Sequence, residues 1–356
     1  MFFFNMIKKI SLLVTLAASI GFGAQAGNPD RQGEAGAYEL LINPWARSAG
    51  LMGYNTATVN GVEALWQNVA GAGRIGKSST EIGFSRSFYL QGTGLSVTAA
   101  GFVQKVGTNG VLGINLNAFN FGEIAVTTAG QPEGTGATLK PVFFNVGLSY
   151  GYNFADKVHV GIIARGVNQV IGDATAFGLA IDAGVQYVGG NETYTDRFKF
   201  GISLRNIGTR LRYSGQSLTR ATQVLNNDGS VNVTTSYQAQ SFELPSQLNI
   251  GVAYDLLPTA ANKLTAVGNF TANAFTRDEA MGGLEFALND LFSARAAYRY
   301  ELGTGVSSIN SGISGGFSVN IPLDRDEKQR RLSLDYGYMH TRKFSGTHNI
   351  TLRLNL

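Results

Sequence analysis

The chain has 356 residues, of which only 15% are charged, whereas 46 are glycine, 22 are Phe and 14 are Tyr. This composition argues against an ordinary soluble helical protein and favours strands in contact with an apolar phase. The formal charge of +4 falls to +2 without the lysines at positions 8 and 9, which leaves 26 basic against 24 acidic residues and gives no indication of nucleic-acid binding. The absence of cysteine excludes a disulfide scaffold, a thiolate metal site and a lipid anchor on cysteine.

Residues 1–26 have the organisation of a secretory signal peptide. Two lysines precede an apolar run that extends to about residue 22, and the triplet Ala24-Gln25-Ala26 has the small-x-small form of a cleavage site before Gly27. The alternative is an uncleaved membrane anchor. The apolar run is short for that role, because a spanning helix needs about 20 apolar residues. No such stretch follows residue 26, so we expect this chain to cross a membrane with strands.

Fourteen segments with period-two alternation follow one another from residue 80 onward. Ten residues that rise ~3.3 Å each and tilt by about 45° climb roughly 23 Å, the height of the apolar band on an outer-membrane barrel. The sequence therefore predicts an all-β fold, a transmembrane antiparallel β-barrel of about 14 strands. The predicted strands are 80–89, 94–104, 110–121, 143–154, 158–170, 174–187, 198–206, 244–256, 262–274, 279–288, 291–300, 310–321, 331–339 and 347–356.

The alternation assigns one face of each strand to lipid. In segment 331–339, Leu332, Leu334 and Tyr336 alternate with Ser333 and Asp335. An Arg or Lys on the lipid face would cost about 2 to 4 kcal/mol at the midplane, so the polar series is expected to face the lumen. The candidates for lumen-lining charge are Asp182, Arg205, Asp255, Arg295, Arg299, Asp335 and Arg353. Two roles stay open for them, a polar network that holds a plug and a selectivity function.

The connection lengths predict the orientation of the barrel. The two longest connections, 122–142 and 207–243, follow the third and seventh strands, so both are extracellular if the chain starts in the periplasm. Loop 207–243 is the predicted segment for partner contact, with a mobile lid as the alternative. The even strand count returns segment 347–356 to the periplasm, where we expect it to close the barrel against the first strand. Its amphipathic end at Leu356 is similar to the terminal strand that outer-membrane insertion machinery recognises.

Residues 27–79 lack the strand pattern. Short helix-like runs are broken by Asn43-Pro44 and by many glycines, and the segment is too polar to face lipid and too apolar for a free tail. A plug in the lumen suits it, because irregular backbone at membrane depth must be covered by protein. The predicted organisation is a signal peptide at 1–26, an N-terminal hatch of short helices at 27–79 and a barrel at 80–356.

The hatch segment resembles that of a known family. Its run NPWARSAGLMGYNTATVNGVEALWQNVAGAGR, residues 43–74, is similar to the N-terminal hatch of the PorV/PorQ family, a branch of the FadL-like barrels with the pattern A-R-A-A-G-M-G followed by W-N-P-A-G. The matching residues are Ala46, Arg47, Ser48, Ala49, Gly50, Gly53, Trp66, Asn68, Ala70 and Gly71, with Val69 where the family has Pro. Fourteen strands is also the FadL-like count.

The resemblance implies two functions. PorV/PorQ-type barrels work in type IX secretion, where they associate with the outer-membrane translocon and receive secreted proteins that bear a C-terminal signal domain. FadL-like relatives pass hydrophobic small molecules through a plugged lumen. We expect a non-enzymatic component or accessory of type IX secretion, surrounded by outer-membrane lipid and without a cofactor, and FadL-like transport is the alternative. A ligand-sized apolar pocket beside residues 38–54 would favour transport, and a filled lumen with an apolar extracellular loop would favour a protein partner.

Motifs for catalysis and metal binding have structural interpretations. Gly312–Gly316 fits the G-x-S-x-G pattern of hydrolases, but it lies within a predicted strand and no helix follows, so curvature or close packing explains the glycines better. His159, His340 and His348 do not have the spacing of metal ligands. The charge run 323–331 mixes both signs, as expected of a solvated periplasmic turn.

Overall fold

The alternating segments form one closed antiparallel barrel in the computed structural model. The structure describes residues 31–76, 78–154, 157–191, 194–226, 229–258, 262–303, 308–323 and 330–356, so the predicted signal peptide lies outside the described residues. Within these ranges the strands are β1 (Thr80–Phe88), β2 (Ser96–Val106), β3 (Gly110–Asn120), β4 (Ile124–Ala125), β5 (Thr138–Leu139), β6 (Val142–Phe154), β7 (Val158–Ile171), β8 (Ala174–Asn191), β9 (Tyr194–Gly208), β10 (Thr219–Asn226), β11 (Gly229–Ser236), β12 (Gln247–Pro258), β13 (Asn262–Asn273), β14 (Glu279–Leu288), β15 (Phe292–Glu301), β16 (Asn310–Pro322), β17 (Arg331–Thr341) and β18 (Thr347–Asn355). Fourteen of them make the barrel, which confirms the predicted fold class.

The first and last strands close the barrel. β1 pairs with β18 in register from Glu81 opposite Asn355 to Phe88 opposite His348. At the end of this pair, the amide of Leu356 donates to the carbonyl of Thr80 at 2.9 Å. The last strand therefore presents no unpaired edge to lipid along this register, as expected of a closed barrel.

The two faces of the strands differ as the alternation predicts. On the outside, Phe84 and Leu352 are 52% and 47% exposed, whereas the neighbouring Ser85 and Thr351 are fully buried on the lumen side. The apolar series faces lipid because hydrocarbon cannot solvate polar side chains. The lumen-side residues are buried because the N-terminal hatch packs against them.

The hatch consists of short helical turns joined by irregular backbone. These turns are Tyr38–Leu41, Ala46–Ala49, Gly61–Glu63, Ala64–Gln67 and Val69–Gly73. Trp45, Leu65 and Trp66 are at most 1% exposed and share an apolar cluster with barrel residues such as Val103 and Ile163. Among the described residues, no helix is long and apolar enough to cross a membrane.

The two longest connections lie at the same end of the barrel, here called the long-loop end, which is the extracellular end in barrels of this kind. Each connection contains a two-stranded hairpin, β4 with β5 and β10 with β11, and the alternation of the sequence predicts neither of them. β8 also continues four residues beyond its predicted end at 187. The opposite end, here called the short-turn end, carries the connections 107–109 and 289–291 and both termini of the barrel sheet.

Candidate functional site

The lumen contains a cavity of about 450 Å³ between the hatch and the long-loop end. Tyr89, Phe121 and Asn273 contribute to its wall, and each lies where a strand reaches the long-loop end. The hatch forms the other side of the cavity. The hatch residues in the lining are Tyr38, Glu39, Leu41, Ile42, Asn43, Met52, Gly53, Tyr54 and Gln67. The cavity thus lies beside residues 38–54, where an apolar pocket of ligand size was expected to favour transport, and its lining is partly polar.

Apolar or aromatic side chains make up about half of the residues around the cavity, and polar or charged side chains make up the other half. Leu41 and Ile42 of the hatch contribute to the lining together with Phe121, Phe143 and Met339 from the barrel. The rings of Phe121 and Phe143 meet edge to face with centroids 4.6 Å apart. A wall of this kind binds apolar compounds through surface burial and dispersion contacts, with aromatic edges available to a ring.

One ion pair with a tyrosine lies on the cavity wall. Arg299 of β15 is 3.2 Å from a carboxylate oxygen of Glu279, and the hydroxyl of Tyr54 donates a short hydrogen bond to the other oxygen. Burial raises the pKa of the Tyr54 hydroxyl, and the charge of Glu279 raises it further, so the hydroxyl keeps its proton. This trio fixes the hatch at residue 54 to two strands of the barrel.

Glu39 is a buried carboxyl group at the hatch side of the cavity. The amide of Gln169 donates to it at 2.6 Å, and Gln169 in turn accepts from the hydroxyl of Tyr213 at 2.6 Å. Burial raises the pKa of Glu39, while the hydrogen bond from Gln169 partly opposes that shift. A carboxyl group with a raised pKa is a hydrogen-bond donor over a wider pH range than an exposed glutamate.

The first half of the hatch motif lies against β16 and β18. The amide of Ala46 donates to Thr351 at 3.0 Å, and Arg47 donates to the side chain of Asn60 at 2.7 Å. A Cβ atom on Gly50 would come 3.4 Å from the backbone of Gly316, so the two glycines allow backbones to approach closely. Gly53 has φ +79°, a conformation that favours glycine.

The second half of the motif packs against β7, β8 and β9. Trp66 lies between two guanidinium groups, with Arg165 4.5 Å and Arg205 5.6 Å from its ring. Asn68 donates to Thr56 and to Val185, and it accepts from the amide of Ala70 at 3.2 Å. A Cβ atom on Gly71 would overlap the carbonyl oxygen of Val59. In this structure the motif residues bind hatch to barrel, and only Gly53 lines the cavity.

The seven candidate charges all lie on the lumen side, and each has a polar partner. Asp182 pairs with Arg165 at 2.8 Å, Asp255 with Lys199 at 3.1 Å, and Asp335 with Arg353 at 2.7 Å. Arg295 pairs with Glu285 and Arg299 with Glu279, whereas Arg205 donates to Gln67, Gln247 and the carbonyl of Leu40. Of the seven, Arg205 and Arg299 line the cavity, and the others lie elsewhere in the lumen.

Glu63 is the centre of a buried cluster that sequence analysis missed. It is fully buried and accepts hydrogen bonds from the amide and the hydroxyl of Ser48 at 3.1 and 2.7 Å. Arg47 lies 3.7 Å and Arg353 3.9 Å from its carboxylate. The alternation could have indicated Glu81, which lies on the lumen face of β1 and 4.0 Å from Arg353. Glu63 gave no such signal, because the hatch has no periodic pattern.

The motifs considered for catalysis have structural partners. Ser314 donates to the carbonyl of Gly50 and accepts from the amide of Met52, both at 3.1 Å, so it holds the hatch. His159 contacts Asn153 at 2.7 Å. Across the described residues, no group of three or more His, Asp or Glu side chains could hold a metal ion.

Comparison with known proteins gives a fold and no family. No family model matches the sequence, and no curated protein matches it. The toluene transporter TodX of Pseudomonas putida has a similar solved structure, with a TM-score of 0.55 at 12% identity over 88% of this chain and 97% of that chain. The toluene transporter TbuX of Ralstonia pickettii gives 0.52 at 14% identity, and a FadL homologue of Pseudomonas aeruginosa gives 0.50 at 11%, with the same coverages. The chain therefore has the fold of the FadL-like outer-membrane barrels, and two of these three structures are those of toluene transporters.

Proposed function

We propose that this protein is an outer-membrane channel for small hydrophobic compounds and that the cavity above the hatch is their binding site. The observation that carries the proposal is the cavity of about 450 Å³ beside residues 38–54. Ligand cavities commonly measure about 300 to 1,000 Å³, so a single-ring or short-chain compound is of suitable size. Two proteins with the same fold, TodX and TbuX, are toluene transporters, and this supports the proposed class of ligand.

The cavity wall supports a mainly apolar ligand with at most a small polar group. Aromatic and aliphatic side chains contribute about half of the lining, and neutral polar side chains such as Gln247 contribute much of the rest. The charges of Arg299 and Glu279 neutralise each other. Glu39 and Arg205 are the remaining charged side chains of the lining. A ligand hydroxyl could exchange hydrogen bonds with Glu39 or accept one from Arg205, whose described hydrogen-bond partners are uncharged.

Passage from the cavity requires movement of the hatch. Met52, Gly53 and Tyr54 of the hatch line the cavity, and the hatch is in close contact with the barrel toward the short-turn end. This segment is attached to the barrel by the hydrogen bond from Met52 to Ser314 and by that from Tyr54 to Glu279. Local opening of this segment has to break these two hydrogen bonds and the apolar contacts that Met52 and Tyr54 make with the barrel. We therefore propose that residues 52–54 are the part of the hatch that moves during transport.

Filling the cavity tests the transport proposal. Ile42→Trp adds a ring at the cavity wall, and Ile202→Trp adds the same ring on the lipid-facing side of β9, where Ile202 is 37% exposed. Uptake of radiolabelled toluene by intact cells should fall toward that of cells lacking the protein for Ile42→Trp and stay at the wild-type rate for Ile202→Trp. Transport is rejected if wild-type cells take up toluene no faster than cells without the protein.

A role as an accessory of type IX secretion is the second candidate. Two observations favour it, namely the resemblance of the hatch motif to PorV/PorQ-type proteins and the apolar surface of the β10–β11 hairpin. Val224, Val231, Val233 and Tyr237 of this hairpin are between 41% and 61% exposed. Exposed apolar residues on a long loop are suited to protein contact. The partners in this role would be a translocon barrel and secreted proteins with a C-terminal signal domain.

Capture from the native membrane distinguishes the two candidates. The tagged protein is cross-linked in its outer membrane, extracted in mild detergent and analysed by mass spectrometry. Recovery of a large translocon barrel that is lost in a Val231→Ser, Val233→Ser variant would support secretion. Recovery of the barrel alone would contradict it and leave transport. In either role we propose cleavage of the signal peptide after Ala26, which requires N-terminal sequencing of the mature protein to begin at Gly27.

A further inference from the structure

The lipid-facing side of the barrel has a groove across β15, β16 and β17. Its volume is about 510 Å³, and its lining is almost wholly apolar. The lining residues are Phe292, Ala294, Gly315, Gly316, Phe317, Tyr336 and Tyr338. None of these residues contributes to the cavity in the lumen, so the groove is a separate feature.

Small residues beside large ones create the groove. Ala296 is paired with Gly315, and Gly315 is paired with Tyr338. The next row has Ala294 opposite Phe317, which in turn lies opposite Tyr336. A Cβ atom on Gly315 would contact only the carbonyl oxygen of Arg295, at 3.4 Å. The position has room for a larger side chain, so packing within the barrel does not explain the glycine.

The groove slopes across the membrane. Pairing places Ala294, Phe317, Tyr336, Ile350 and Arg86 in one continuous row. This row crosses four strand spacings of ~4.8 Å, about 19 Å in all, and strands tilted by about 45° give it a vertical drop of roughly 13 Å. That drop is close to the thickness of one leaflet, half of the ~30 Å hydrocarbon core. Arg86 is at the upper end, two residues from the long-loop end of β1.

The upper end of the row is polar and basic. The Nδ1 atom of His348 shares a hydrogen bond of 2.7 Å with the hydroxyl of Tyr336. The centre of its ring lies 4.9 Å from that of Tyr338. Arg86 donates to the hydroxyl groups of Ser96, at 2.9 Å, and Thr98, and within the described part of the chain no ion pair neutralises its positive charge. Among the described residues of β1 and β15–β18, no outward-facing position carries a carboxylate. The adjoining loop adds Arg342 and Lys343.

We propose that this surface is a binding site for one lipid of the outer leaflet that carries a phosphate on its headgroup. An acyl chain occupies the groove beside Gly315, and the phosphate lies between Arg86 and His348. Two observations carry the assignment. The groove faces hydrocarbon, so its occupant is apolar, and the charge at its upper end is positive at headgroup depth, where guanidinium and imidazole groups bind phosphate oxygens well.

Two pairs of variants test the site. Gly315→Leu fills the groove, and Gly282→Leu is its matched control, because Gly282 lies outside the groove on β14 and a Cβ atom there meets nothing within 4 Å. Arg86→Gln removes the charge at the headgroup, and Arg220→Gln in the β10–β11 hairpin is the control. Each protein is extracted from its outer membrane in mild detergent and its bound lipid is counted by native mass spectrometry and phosphate assay. Altered gel mobility on boiling confirms that each barrel is folded.

The proposal requires that the wild type and both controls retain a phosphorylated lipid at about one copy per barrel. Gly315→Leu should lose it, and Arg86→Gln should weaken its retention by about tenfold, which is the effect of one charge-assisted hydrogen bond. Equal lipid in Gly315→Leu and Gly282→Leu would overturn the proposal, as would a wild type without phosphorylated lipid. Cross-linking of a protein at position 315, in place of lipid, would also overturn it.

Discussion

The two halves of the lumen are built differently. Toward the short-turn end, the hatch is in close contact with the barrel through glycine pairs such as Gly50 with Gly316, and buried charges such as Glu63 and Arg353 lie between them. Toward the long-loop end, the hatch and barrel leave a cavity of about 450 Å³. The comparison indicates that one half fixes the hatch, while the other leaves room for the ligand proposed above.

Buried charge explains why the half of the lumen toward the short-turn end should be rigid. A charge taken out of water is tolerated only when partners replace its hydration, and each such partner is then costly to remove. Glu63 is within 4 Å of two guanidinium groups and accepts two hydrogen bonds from Ser48. The cavity side leaves open volume beside residues 52–54 into which the hatch can move, so opening is expected to begin there.

Arg353→Met should cause the largest loss in the free energy of unfolding. It removes the partner of Asp335, at 2.7 and 3.0 Å, and a neighbour of Glu63 and Glu81, so buried carboxylates lose their counter-ion. Breaking a buried pair from one side costs about 3 to 5 kcal/mol. Urea unfolding in detergent measures the loss. The double variant Arg353→Met, Asp335→Leu should recover part of it, and equal instability of single and double variants would contradict this explanation.

Gly71→Ala should disturb the contact of the hatch with β8. The new methyl group would overlap the carbonyl oxygen of Val59 and lie 3.1 Å from the amide nitrogen of Gln186. Overpacking of this kind costs about 1 to 3 kcal/mol. The two tryptophans of the chain, Trp45 and Trp66, both belong to the hatch, so their fluorescence follows its unfolding. Gly282→Ala is the matched control, and the same destabilisation in both variants would show that the contact at Gly71 is unimportant.

Ser314→Ala should loosen the boundary between the two halves. It removes the hydrogen bonds with Gly50 and Met52, each worth about 0.5 to 1.5 kcal/mol. Because Met52 lines the cavity, we expect longer or more frequent openings in single-channel recordings across planar bilayers. Ser318→Ala on the same strand is the control, since Ser318 accepts from Arg295 of β15 and has no described hydrogen bond to the hatch. Identical recordings for the two variants would contradict an opening at residues 52–54.

The barrel was predictable because the bilayer imposes a pattern on every strand that crosses it. β13 was expected at 262–274 and spans Asn262–Asn273, with alternation as its signal. The β10–β11 hairpin lies outside that constraint, so neither its strands nor its register could be derived. The partners of Glu63 were equally hidden, since Arg353 is 290 residues away in the chain. Contacts between an aperiodic hatch and a periodic barrel depend on docking, which a one-dimensional pattern does not encode.

Glu39→Gln changes a residue on the cavity side and should have the smallest effect on thermal stability. Burial raises the pKa of Glu39 in the folded protein, so between its ordinary value and the raised value the folded state holds more protons than the unfolded state. The stability contributed by this carboxyl group is then full below the ordinary pKa and declines as pH rises through the raised pKa. Glutamine has a similar shape and can form hydrogen bonds, but it does not titrate. The difference in Tm, variant minus wild type, should therefore increase from pH 4 to pH 8. A constant difference in Tm across this range would mean that Glu39 stays charged beside the cavity, and the ligand would then meet a carboxylate instead of a hydrogen-bond donor.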